Sequence, residues 1–124
     1  MTQRIICIED DVEMIELLRL LLTREGYDFI GARGGVRGLQ MVREEPPDLI
    51  LLDLLMSDMD GWAVYERLKA DQHTSSIPVI IVTATAQSDE KLLEMRVSKA
   101  DQYIVKPFGA AVLMDLIRRI LSQA

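Results

Sequence analysis

Glu9, Asp10, Asp53, Thr83 and Lys106 share one circumstance: each follows a short apolar run. Glu9 and Asp10 come after Ile5-Ile6-Cys7-Ile8, and Asp53 comes after Leu49-Ile50-Leu51-Leu52. Thr83 comes after Val79-Ile80-Ile81-Val82, and Lys106 after Tyr103-Ile104-Val105. If those runs are neighbouring strands, three carboxylates, one hydroxyl and one ammonium converge on one edge of a sheet. Close carboxylates raise one another's pKa unless a cation intervenes. All-oxygen donors with open positions suit Mg²⁺, which keeps waters and accepts a phosphate oxygen as a further ligand. Mg²⁺, an ammonium and a hydroxyl around one aspartate make an apparatus for phosphoryl transfer, which needs positioning and charge neutralisation above all. The acceptor would be Asp53, because a carboxylate can act as a covalent nucleophile.

The elements that must place these groups are legible in order. The run ending at Asp53 is too short for an ordinary helix and has no polar face. It reads as a strand buried on both sides, with Pro46-Pro47 stopping the helix before it. Residues 4–8 give a first strand and 12–25 a helix. In that helix Glu13, Glu16, Arg19 and Thr23 form a narrow polar stripe, and Gly26 ends it. A second strand over 28–32 and a helix over 36–44 precede the strand that ends at Asp53. The predicted third helix spans 62–70, with Ala63, Val64 and Leu68 inward. A fourth strand spans 78–82, and Ser88 is the predicted N-cap of a fourth helix, with Asp89 and Glu90 in its first turn. A short strand over 103–105 and a helix over 109–121 close the chain. Strand–helix alternation of this kind gives an α/β fold: a parallel sheet, helices on both faces, right-handed crossovers. Open sheets of this type place their ligands at the carboxyl edge of the strands.

The 124 residues suffice for one domain and one core, so residues 1–124 are expected to form a single domain. Fourteen Lys+Arg against twenty Asp+Glu give a net charge of -6, which argues against a nucleic-acid surface. Cys7 is the only cysteine and lies in an apolar strand, where a small buried side chain is the expected role. No apolar run approaches the roughly 20 residues of a membrane span, and the N-terminus lacks the apolar stretch of a signal peptide. A cytoplasmic location with no membrane contact is the expectation.

At this point the chain resembles a response-regulator receiver domain, the CheY-like superfamily of two-component signalling. The matching pieces are Glu9-Asp10-Asp11, Pro47-Asp48-Leu49-Ile50-Leu51-Leu52-Asp53, Met59-Asp60-Gly61, Thr83-Ala84, Ala100-Asp101 with Tyr103, and Lys106-Pro107-Phe108. They cover essentially the whole chain in family order. The resemblance implies a flavodoxin-like doubly wound fold with strand order 2-1-3-4-5. It implies Asp53 as phosphoacceptor and Glu9 and Asp10 as metal-site acids. The Leu55 backbone carbonyl would join Asp10 and Asp53 around Mg²⁺, with Glu9 acting through water. Thr83 and Lys106 would contact the phosphoryl group, Tyr103 would be the switch aromatic, and the Lys106-Pro107 bond would be cis. Asp11 stands outside the metal shell, as a cap for the first helix. The implied partners are a sensor histidine kinase or histidine phosphotransfer protein and an output partner. The output face would be the fourth helix, fifth strand and fifth helix, a possible homodimer surface. Such a domain is a phosphoacceptor, catalysing only its own phosphorylation and dephosphorylation.

Some residues depart from the family pattern. Ser57 stands where proline is usual, which should loosen the loop after Asp53. Lys99 replaces a usual glycine and would sit at positive φ. Gly109-Ala110-Ala111 lacks the proline and glutamate common after Lys-Pro-Phe. Leu55 and Thr85, two residues beyond Asp53 and Thr83, offer little to hold a hydrolytic water, so a long-lived phosphoryl group is expected. Gly35-Val36-Arg37-Gly38 imitates a glycine-rich binding loop but reads as a turn and helix packing. His73 reads as a solvated loop residue, Trp62 as packing for the third helix, and Asp58 and Asp60 as turn acids. Two rivals are weaker. A haloacid-dehalogenase-like Mg²⁺ phosphatase wants a second aspartate where Leu55 stands. A flavin binder of the same fold wants a phosphate cradle where Glu9-Asp10-Asp11 would repel one. A degenerate receiver serving only as a binding module is disfavoured by Asp53, Thr83 and Lys106.

Overall fold

The computed structural model describes residues 2–84, 90–98 and 101–123. Its elements alternate strictly. They are β1 (Arg4–Glu9), α1 (Val12–Arg24), β2 (Asp28–Arg33), α2 (Gly35–Glu44), β3 (Leu49–Asp53), α3 (Gly61–Ala70), β4 (Val79–Ala84), α4 (Glu90–Arg96), β5 (Gln102–Lys106) and α5 (Ala110–Ser122). The five strands form one parallel sheet in the order β2-β1-β3-β4-β5. This is the flavodoxin-like doubly wound arrangement expected from the resemblance.

Residue alternation along the strands divides the core in two. Leu49 and Leu51 of β3 face a layer that includes Ile15, Leu18 and Leu22 of α1 and Leu113 and Ile117 of α5. Ile50 and Leu52 face the other side, toward Val42 of α2, Val64 and Leu68 of α3 and Leu93 of α4. All four β3 side chains are fully buried. Each contributes about 1.5–3 kcal/mol by leaving water, which fixes β3 as the central strand and Asp53 at its end. The two glycines Gly35 and Gly38 are a packing device, as expected: both are buried in α2, and a Cβ on Gly38 would stand 2.6 Å from the Ile8 side chain. Their absence of side chains lets α2 lie close on the sheet.

Three local readings need correction. The polar face of α1 is wider than the stripe of Glu13, Glu16, Arg19 and Thr23, because Leu17 and Leu20 are exposed alongside it. In α3 the inward residues are Val64, Tyr65 and Leu68, while Ala63 is only half-buried. The β4 ladder continues through Thr83 to Ala84, because β5 pairs with it as far as Lys106. Asp11 caps α1, accepting from the N–H groups of Glu13 (3.0 Å) and Met14 (3.4 Å). Asp60 caps α3 through the Trp62 N–H. The expectations for Ser88, Asp89, Thr85 and Lys99 lie outside the described residues.

A buried polar network fastens the opposite end of the sheet. The Asp101 carboxylate accepts from the Tyr65 hydroxyl (2.6 Å), the Val79 N–H (2.8 Å) and the Lys69 ammonium (2.9 Å). The Tyr65 oxygen in turn accepts from the Ser98 N–H at 2.8 Å. Burial, followed by the bond to Asp101, pushes the Tyr65 phenol up to about 12. The network joins α3, β4 and the segment before β5, and so fixes how β5 delivers Lys106 to the far edge.

Candidate functional site

Asp53, Glu9 and Lys106 are carried to the same edge by three different strands. Parallel pairing of β1 with β3 and of β3 with β4 aligns the strand ends, and β5 reaches the edge through its pairing with β4. Glu9, Asp10, Asp11, Asp53, Leu55, Met56, Ser57 and Lys106 line one open cavity of about 510 Å³. The Lys106 Nζ lies 3.3 Å from Glu9 Oε2 and 3.6 Å from Asp53 Oδ2. Asp53 is 5% exposed and Glu9 3%, so the ammonium works in a largely desolvated setting. The Lys106-Pro107 peptide bond is cis.

The backbone around Asp53 is held tightly. Its Oδ1 accepts the Leu55 N–H at 3.2 Å, and the Gly61 N–H donates to the Leu54 carbonyl at 3.0 Å. A Cβ at Gly61 would stand 2.3 Å from Leu54 Cα and 2.6 Å from the Asp53 carbonyl oxygen. Only glycine allows α3 to start so close behind the carboxylate. The Leu55 side chain is 61% exposed, and nothing polar projects from it over the cavity.

Electrostatics distinguish Glu9. Burial pushes its carboxyl up to about 7, and the hydrogen bond and charge of Asp53 push the same way. The Lys106 ammonium and the Asp11 N–H pull against them. The uncharged form of Glu9 is thus favoured by burial and by the neighbouring acid. Cys7, behind the site, is buried and its thiol is driven up, first by burial and then by Glu9 and Asp53. It is an inert core residue.

Thr83 is placed differently from the others. It is fully buried at the end of β4 and does not line the cavity; its hydroxyl lies 3.4 Å from the Ala84 carbonyl. It sits one residue beyond Val82, the partner of Asp53 in the ladder. Tyr103, opposite Ile81 on β5, is half-buried against the α3–α4 layer of the core. Strand alternation puts Thr83 and Ile81 on the same side of β4, so Thr83 and Tyr103 belong to one face of the sheet.

Two contributors escaped the sequence reading. The Ser57 N–H donates to Asp10 Oδ2 at 2.7 Å, so this loop is tied down where a looser one was expected. The Asp58 carboxylate accepts the N–H groups of Gly35 (3.0 Å) and Val36 (3.1 Å), which holds it below the ordinary carboxylate range. Asp58 thus caps α2 from the loop after β3, in place of its local N-cap Gly34, which has no side chain to do so. The only signal in the sequence was a helix without a capping side chain before it.

Residues 5–118 match the response regulator receiver domain family. The chain belongs to that family. It is 38% identical over 123 residues to the DNA-binding response regulator MtrA of Mycobacterium tuberculosis, covering 99% of this chain and 52% of that protein. The chain spans about half the length of the curated relatives it matches. Among solved structures it resembles the signal receiver domain of a signal transduction histidine kinase from Syntrophus aciditrophicus. That match has a TM-score of 0.88 and 31% identity over 99% of this chain and 92% of the other. The receiver domain of sensor histidine kinase PA1611 from Pseudomonas aeruginosa, described with a magnesium ion in its active-site cleft, shares the fold. Its TM-score is 0.86 at 23% identity, covering 98% of this chain and 99% of the other. This receiver domain of two-component signalling places Asp53 where β3 meets the cavity. No helix among its described residues is long and apolar enough to cross a membrane.

Proposed function

We propose that this receiver domain takes a phosphoryl group from a phosphohistidine on a sensor kinase or phosphotransfer protein onto Asp53 and relays the change to a binding surface. The observation that carries the reading is the Asp53 carboxylate, buried beside Lys106 at 3.6 Å and open to a cavity that Glu9, Asp10 and Asp11 also line. An Asp53 oxygen attacks phosphorus, the N–P bond breaks and its electron pair stays on the donor imidazole. An acyl phosphate forms on Asp53. Lys106 neutralises negative charge on the phosphoryl oxygens, and the Leu55 N–H orients the attacking carboxylate. Thr83 reaches the phosphoryl group only by turning its hydroxyl out of its buried position. That movement opens space on the face it shares with Tyr103, a route from the site to β5 and its flanking helices.

The donor set fits Mg²⁺. Asp10 and Asp53 would hold it directly with the Leu55 carbonyl, and Glu9 through water. Among the described residues no three acids or imidazoles are gathered into a ready-made cage. Mg²⁺ does not need one, because it binds through one or two carboxylates and retains water. When bound it would neutralise the acids and the incoming phosphoryl oxygens. The magnesium of the PA1611 receiver domain supports the same reading. The domain is a phosphoacceptor that catalyses only its own phosphorylation and dephosphorylation. With a net charge of -6 it makes no direct contact with nucleic acid, whatever the DNA-binding relatives do with their remaining half.

Acetyl phosphate with Mg²⁺ should add one phosphoryl group to the protein and none to Asp53→Asn, measured by intact mass. Equal labelling of both would refute the assignment.

A further inference from the structure

The loop between β3 and α3 is anchored at two adjacent residues. Ser57 donates its backbone N–H to Asp10 Oδ2 at 2.7 Å, a charge-assisted bond at the short end of its range. Asp58, next in sequence, clamps the first N–H groups of α2 at 3.0 and 3.1 Å. A Cβ at Gly34 would stand 2.8 Å from that carboxylate, so the clamp is closely fitted. The Ser57 N–H is therefore held from behind, and Asp10 is the only acid of the cavity that it reaches among the described contacts.

We propose that the Ser57 N–H is a positioning group for the metal site: it fixes the Asp10 carboxylate by one oxygen and leaves the other for the cation. The inference rests on the Mg²⁺ reading given above. An ionised carboxylate has about four acceptor sites, so one N–H leaves room for a metal. Asp10 lines the same cavity as Glu9 and Asp53, and repulsion between like charges favours swinging it out to solvent. The Ser57 bond holds it in. An ordered ligand loses less freedom when it binds. The serine side chain plays no part, and any residue with a backbone N–H would serve. Proline would not, because it has none.

The test is Mg²⁺ titration of the metal-free protein, read by amide NMR and by the fluorescence of Trp62. Ser57→Pro should weaken binding by about threefold to tenfold, the range expected when the net worth of one hydrogen bond is lost. Ser57→Ala should stay within about twofold of wild type. The bond is also read in protein that keeps Ser57, where loop distortion by proline plays no part. The Ser57 amide proton should lie downfield and should move upfield in Asp10→Asn. Wild type and Ser57→Pro binding alike, or a Ser57 amide indifferent to Asp10→Asn, would overturn this inference alone. Wild type that binds no Mg²⁺ would overturn the metal site and this inference together.

Discussion

Glu9 gives the metal-free protein a stability that depends on pH in an unusual direction. An ordinary glutamate sits near 4.5, whereas burial, and Asp53 after it, hold the Glu9 carboxyl near 7. The folded chain therefore keeps a proton on Glu9 that the unfolded chain has released, and stability falls as pH rises through that interval. The contribution is fully present below about 4.5 and is lost by the time pH passes about 7. At about 1.4 kcal/mol per pH unit the span is worth about 3 kcal/mol. That is a large share of the 5–15 kcal/mol typical of a domain. The perturbation is Glu9→Gln, which keeps shape and hydrogen bonding but cannot ionise. Urea unfolding without metal, at constant ionic strength, should find the two proteins alike near pH 4.5. Near pH 7.5 the variant should be more stable by about 2–3 kcal/mol. Subtracting the variant removes the general repulsion of a chain with net charge -6. A wild-type protein whose difference from Glu9→Gln does not change between pH 4.5 and 7.5 would refute the reasoning.

The remaining predictions concern the supports of the site. Asp101→Ala should cost about 3–5 kcal/mol, because it leaves the buried Tyr65 hydroxyl and Val79 N–H without their acceptor and removes the counter-charge of the Lys69 ammonium; thermal unfolding checks it, with Glu66→Ala at the exposed Arg96 pair as a control worth under about 1 kcal/mol. Gly61→Ala should destabilise by about 1–3 kcal/mol and slow labelling of Asp53, because its Cβ collides with backbone rather than with a side chain that can move. Leu55 offers no hydrogen bond to a hydrolytic water, so the phosphorylated protein should persist well beyond seconds in Mg²⁺. Leu55→Asn should shorten that lifetime, and a wild-type half-life of a few seconds would contradict the reading.

What could be read from the chain, and what could not, follows from distance along it. The strand Leu49–Asp53 announced itself because a residue run buried on both faces has no other way to be stable, and Asp53 at its end followed. Asp10 and Lys106 were found by the same rule applied to other strands. Thr83 was placed at the right edge, but its full burial depends on β5 extending the ladder to Ala84, which no local pattern encodes. The leucines of α1 misled because hydrophobic type does not guarantee burial, and Leu17 and Leu20 remain exposed. Asp58 capping α2 from 22–23 residues away, and Ser57 tethering Asp10 from 47 away, are tertiary contacts with no periodic signature. The Tyr65–Asp101–Lys69 network was equally invisible. Asp101 was noticed only as part of a resemblance, and its partners lie 36 and 32 residues distant.

The central claim is that Asp53 carries the phosphoryl group, and chemical trapping tests it most directly. After reaction with acetyl phosphate and Mg²⁺, borohydride reduction converts an aspartyl phosphate to homoserine, which peptide mapping locates. Homoserine at position 53, with Asp10, Asp11, Asp58 and Asp60 intact, is the predicted result. Homoserine at any of those other positions, or at none, would contradict it.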